Sequence, residues 1–128
     1  MEPITILIVD DHPTFRQACK KMLEENTLFQ VLACTGDAEE ALKITREFRP
    51  DITLLDIKMS VSGFELASRI KVVNAEARII GFSLYEGIQI EKKFMECGAS
   101  GYVTKDASVE EITDAIIRVN RGESYFSK

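Results

Sequence analysis

Polar groups with chemical potential stand where apolar runs stop. ITILIV at 4–9 runs into Asp10 and Asp11, ITLL at 52–55 runs into Asp56, ARIIGFS at 77–83 ends on Ser83, and SGYVT at 100–104 is followed by Lys105. Brought together, three carboxylates repel one another, so they retain a proton or bind a cation. Oxygen-only ligands favour a hard ion such as Mg2+. His12 is adjacent, but a lone histidine without a cysteine partner makes a poor zinc site and reads as a loop or helix-start residue. A metal, a lysine and a hydroxyl around one carboxylate suit a tetrahedral anion with spread charge, and a carboxylate can itself be the nucleophile that accepts a phosphoryl group. Neither a GxxxxGK[ST] loop nor a GxGxxG fingerprint is present, which leaves nucleotide binding through those motifs unsupported.

What would bring these groups together is an alternation of strand-length apolar runs with helical patterns. Strands are expected at 4–9, 29–35, 51–56, 77–83 and 100–104, and helices at 13–25, 37–48, 62–73, 86–97 and 107–120. In the first helix Phe15, Ala18, Cys19, Met22 and Leu23 share a face, and Pro13 can sit in the first turn, where a missing N–H costs nothing. Asp37 and Glu40 have the spacing of a capping box, and Pro50 cannot continue the second helix. Phe64, Ala67 and Ile70 mark the inward face of the third helix. Ile88, Ile90, Phe94 and Met95 mark that of the fourth, less regularly, and Ile112, Ala115, Ile116 and Val119 that of the fifth. Gly98 and Gly122 are the expected stops of helices four and five. Continuous apolar strands separated by amphipathic helices imply an α/β fold with a parallel sheet covered on both faces and right-handed crossovers. In such sheets the functional site lies beyond the C-terminal strand ends, where Asp10, Asp11, Asp56, Ser83 and Lys105 all fall.

Length and composition fit this reading. A chain of 128 residues, 45% hydrophobic and 29% charged, suits one soluble domain. A net charge of -5 argues against non-specific nucleic-acid binding by this segment. Cys19, Cys34 and Cys97 are odd in number, widely spaced and in apolar contexts, so they read as small core residues of a reducing compartment. No apolar stretch approaches the length of a membrane span, and no signal peptide is evident, so a cytoplasmic location without membrane contact is expected.

The combination of DD at 10–11, DxxM at 56–59, Ser83 and Lys105, over essentially the whole chain, resembles the receiver domain of bacterial two-component response regulators. GYVTKDAS, EEITDAI and RGE are most similar to receivers of the NarL/FixJ (LuxR-type) subfamily. The resemblance implies a (βα)5 flavodoxin-like, doubly wound parallel sheet in strand order 2-1-3-4-5. It implies that Asp56 accepts a phosphoryl group from a sensor histidine kinase. Asp11 would ligate Mg2+ directly, Asp10 mainly through water, and the backbone carbonyl of Lys58 would be a further ligand. Ser83 would bond the phosphoryl group, Lys105 would pair with one of its oxygens, and Tyr102 would be the aromatic switch residue. Such a domain promotes its own phosphorylation and dephosphorylation and is a switch more than a metabolic enzyme.

Some positions depart from the pattern. Ser60 and Val61 stand where proline usually follows the methionine, which suggests a looser loop there. Asp106 fits the NarL-like subfamily, and Leu84 replaces a usually small residue, so Leu84 and Lys58 are expected to tune the lifetime of the phosphorylated state. Residues 1–122 are expected to be the receiver and 123–128 the start of a linker to a C-terminal output domain, through which alone DNA would be bound. A phosphorylation-dependent homodimer, through helix five or helix one, is the expected output. Two other readings stay open from the residues: a metal-dependent phosphoester hydrolase of the same shape, and a phosphorylation-independent interaction module.

Overall fold

The structure, a computed structural model, describes residues 2–58, 62–84 and 87–126. Ten elements alternate: β1 (Ile4–Val9), α1 (Pro13–Glu24), β2 (Phe29–Thr35), α2 (Ala38–Phe48), β3 (Ile52–Leu55), α3 (Gly63–Val73), β4 (Arg78–Ser83), α4 (Ile88–Glu96), β5 (Gly101–Thr104) and α5 (Val109–Asn120). The strands pair in parallel in the order β2-β1-β3-β4-β5, the flavodoxin-like arrangement expected.

Period-two alternation splits the strands between two cores. Ile6, Ile8, Leu54, Ile80, Phe82 and Val103 pack with Cys19, Leu23, Ile112, Ile116 and Val119 of α1 and α5. Leu7, Val9, Leu55 and Ile79 pack on the other face with Leu42, Leu66, Ile70 and Phe94 of α2, α3 and α4. Because both faces are covered, the strands read as unbroken apolar runs. Burial pushes the Cys19 thiol up to about 12, which leaves it an unreactive core group. Cys34 and Cys97 are only half-buried.

Most element ends have identifiable causes. Asp37 accepts from Glu40 N–H at 2.9 Å, but its own N–H goes to Thr35 Oγ1, so only half of the expected capping box forms. Ser108 caps α5 by accepting from Glu111 N–H, which starts that helix later than the expected 107. Ala18 is exposed, so it lies off the buried stripe of α1. In α4 the expected face also shifts: Ile88 and Met95 are exposed, whereas Glu91 and Phe94 are buried. Phe94 sits over Gly81 of β4, where an added Cβ would stand 2.6 Å from the ring.

Beyond α5 the chain returns to the sheet. Tyr125 bridges Gly101 at the free edge of β5, with Tyr102 N–H donating to Tyr125 C=O at 2.8 Å and Tyr125 N–H donating to Ser100 C=O at 2.9 Å. Tyr125, within the segment 123–128 expected as the start of a linker, thus lies against the edge of β5. Among the described residues no helix is long and apolar enough to cross a membrane.

Candidate functional site

The ladder hydrogen bonds extend one residue past the strands. Asp10 N–H donates to Thr35 C=O and Asp56 N–H to Val9 C=O, both at 2.9 Å. Two carboxylates are thereby fixed side by side on adjacent central strands. Lys105 is placed similarly, its N–H donating to Ser83 C=O at 2.7 Å. The α3 start closes over Asp56, with Gly63 N–H donating to Ile57 C=O. A Cβ on Gly63 would stand 2.3 Å from the Asp56 carbonyl oxygen, so the glycine of the DITLLDIKMSVSG stretch is required by this close approach.

The side chains converge. Lys105 Nζ, almost fully buried, lies 2.5 Å from Asp10 Oδ2 and 3.5 Å from Asp56 Oδ2. The second contact is an ion pair too long to make a good hydrogen bond. Among the described residues, Asp56 Oδ2 accordingly has no hydrogen-bond partner, and it is buried on a residue only 3% exposed. Burial pushes the Asp56 carboxyl up, and the neighbouring Asp10 charge adds to this; Lys105 and the Lys58 backbone N–H offset only part. Burial also works against ionised Asp10, but hydrogen bonds from Lys105 and from His12, backbone and ring, prevail and hold its pKa below the usual carboxylate value. One acid is thus held as the anion by its donors, while the other is left short of them.

The sequence-derived residues fall as follows. Asp10, Asp11, Asp56, Ser83 and Lys105 all lie at the C-terminal edge of the sheet. Asp11 is exposed at the rim and Ser83 is fully buried. Lys58 has an exposed side chain on the loop leaving β3, and Leu84, after Ser83, is also exposed. Met59, Ser60 and Val61 lie outside the described residues. Tyr102 is buried on the α4 side, its ring 5.7 Å from that of Phe94, which in turn lies 4.8 Å from Phe64.

Sequence reasoning missed three contributors. Phe15 was assigned to the core alone, yet Lys105 Nζ stands 4.2 Å above its ring centroid, a cation–π contact that steadies the lysine. Arg16 donates to the Asp10 carbonyl at 2.6 Å. His12 does begin α1, as expected, but its ring turns into the acid cluster: Nδ1 lies 2.8 Å from Asp10 Oδ1, 3.4 Å from Asp11 Oδ1 and 3.7 Å from Asp56 Oδ2. Its place between an acid pair and the first helical turn was the available signal.

The ligand atoms of Asp10, Asp11, His12 and Asp56 lie within 4.8 Å of one another, compact enough to surround one ion. The partnerless Asp56 oxygen and the oxygen-rich donor set fit a hard divalent cation such as Mg2+.

The family profile described as the response regulator receiver domain matches residues 6–117. The response regulator GacA of Pseudomonas aeruginosa is 33% identical over 125 residues, covering 97% of this chain and 58% of that protein. The chain thus spans little more than half the length of such curated relatives. A two-component response regulator of the LuxR family from Aurantimonas sp. SI85-9A1 superposes with a TM-score of 0.92 at 34% identity, over 97% of this chain and 89% of that one. A DNA-binding response regulator of the LuxR family from Staphylococcus aureus gives 0.83 at 26% identity, over 91% and 98%.

Proposed function

This chain belongs to the response regulator receiver domain family, and on that premise we propose that it is a phosphoryl-accepting switch acting through Asp56. The observation that carries the reading is the buried Asp56 Oδ2, without a hydrogen-bond partner and flanked by Lys105 and the Asp10–Asp11 pair. Its lone pair attacks the phosphorus of a phosphohistidine on a sensor histidine kinase. The O–P bond forms, the P–N bond breaks, and the electron pair leaves with the imidazole. Asp11, Asp56 and the Lys58 carbonyl would hold Mg2+, with Asp10 acting through water; the ion supplies charge neutralisation of the phosphoryl oxygens. Lys105, steadied by Phe15, pairs with one phosphoryl oxygen, and the Ser83 hydroxyl donates to another.

The output follows from differential binding: the phosphoryl group biases whichever arrangement of β4, α4 and β5 holds it better. Tyr102, packed on Phe94 of α4, links the Ser83 side of the sheet to that helix. Lys58 and Leu84, flanking the acceptor, tune how fast water removes the group. The proposed partners are a sensor histidine kinase, a second copy of this chain in a phosphorylation-dependent homodimer, and a DNA-binding output domain following the receiver at 1–122. Transcription is regulated through that output domain. The LuxR-family names of the relatives support this output, and the cytoplasm is the compartment where such partners meet.

The test is intact-mass measurement after incubation with a small phosphodonor and Mg2+. One phosphoryl adduct should accumulate in the natural protein and be absent from Asp56→Asn. An adduct that persists in the variant refutes Asp56 as the acceptor, and rapid donor turnover without an adduct points to a hydrolase instead.

A further inference from the structure

The helix N-caps are not alike. Asp37, Ser62 and Ser108 each cap their helix through the side chain, whereas His12, the N-cap of α1, makes no side-chain cap hydrogen bond. A capping side chain stabilises the first turn of a helix, and α1 forgoes it while the imidazole faces the acids. Asp10 does not depend on that ring. Its Oδ1 also accepts from the His12 backbone N–H at 2.9 Å, and its Oδ2 accepts from Lys105. The ring can therefore give up its Nδ1–H···Asp10 bond, move its hydrogen to Nε2 and turn the freed Nδ1 lone pair elsewhere without stranding a buried carboxylate.

From this geometry we propose that His12 is a nitrogen ligand for the divalent ion at this site and makes it take first-row transition ions, Mn2+ and Ni2+ among them, in preference to Mg2+. The inference rests on the acid cluster being the metal site, as in the function proposed above. Two ligands at right angles on bonds of about 2.1 Å stand about 3 Å apart. Nδ1 is 3.4 Å from Asp11 Oδ1 and 3.7 Å from Asp56 Oδ2, so a small rotation of the ring completes such a corner. The buried, partnerless Asp56 Oδ2 faces the same space. On coordination the ring carries its hydrogen on Nε2, and Asp10 keeps the backbone hydrogen bond. Imidazole contributes strongly to Ni2+ or Zn2+ binding, less to Mn2+, and little to Mg2+, which prefers oxygen and retains water.

His12 is the single histidine of the chain, so in tag-free protein any imidazole nitrogen seen on a bound ion is its own. The experiment is calorimetric titration with Mg2+ and with Ni2+, plus electron spin-echo measurement of bound Mn2+, on the natural protein, His12→Ala, His12→Asn and Asp11→Ala. His12→Asn restores a strong capping residue and controls for damage to α1. The natural protein should show nitrogen modulation on Mn2+. Both His12 variants should lose it and bind Ni2+ at least about tenfold more weakly, with Mg2+ affinity changed less than about twofold. Absent modulation in the natural protein, or equal changes for both ions in the His12 variants, overturns the proposal while leaving Mg2+ binding in place. Unchanged Mg2+ binding in Asp11→Ala instead overturns the acid cluster as the metal site.

Discussion

Replacing Asp56 with asparagine should stabilise the domain. The carboxylate is almost fully buried, one of its oxygens has no hydrogen-bond partner among the described residues, and the Asp10 charge adds to a penalty that Lys105 offsets only in part. A buried polar group left unpaired costs about 1–3 kcal/mol. Lys105 loses little in the exchange, since Asp10 holds it at 2.5 Å. The expected gain is therefore about 1–3 kcal/mol, or roughly 3–5 °C in Tm for each kcal/mol in a domain of this size. The sign with pH follows from the raised Asp56 pKa. Below the unfolded value of about 3.8 the group is protonated in both states and carries no penalty; stability is lost as pH rises through its folded pKa, and the full cost remains above it. The advantage of Asp56→Asn should thus be small in acid and largest at neutral pH. Mg2+ should reverse the order: an ion at a hundred times its Kd adds about 2.7 kcal/mol to the natural protein, and less to a variant with one carboxylate fewer. Urea denaturation at several pH values, with and without Mg2+, measures all of this. A variant no more stable than the natural protein at neutral pH, or equal stabilisation of both by Mg2+, would refute the reasoning.

Asp10→Asn should act in the opposite sense. The lowered Asp10 pKa contributes stability that is present above the unfolded value and lost as pH falls through the folded one, so the variant should lose about 1–3 kcal/mol at neutral pH and approach the natural protein in acid, read by the same denaturation series. Lys105→Ala and Ser83→Ala should still accept a phosphoryl group, detected by mass, but should lose most of the amide chemical-shift change in α4 and β5; full natural shifts would contradict their switch roles. Gly81→Ala places a methyl 2.6 Å from the Phe94 ring, so it should cost about 1–3 kcal/mol in urea denaturation and shift α4 resonances. A second change, Phe94→Leu, should recover part of that loss.

The order and kind of every element were legible in the sequence, because periodicity and breakers are local. Unbroken runs such as ITILIV and ITLL required a sheet covered on both faces, and with it a site at the C-terminal strand ends. That argument alone put Asp10, Asp11, Asp56, Ser83 and Lys105 in one crevice. Orientation and burial were not legible, because contacts distant along the chain set them. Lys105 lies 95 residues from Asp10, and only the folded sheet makes them an ion pair that leaves Asp56 short of a donor. The same holds for Phe15 beneath Lys105, Tyr125 on the edge of β5, and the His12 ring. Helical spacing says which residues share a face, but what that face meets depends on the packing of the neighbouring elements. In α4, Phe94 takes the space over Gly81 and Glu91 is buried, while Ile88 and Met95 remain in solvent.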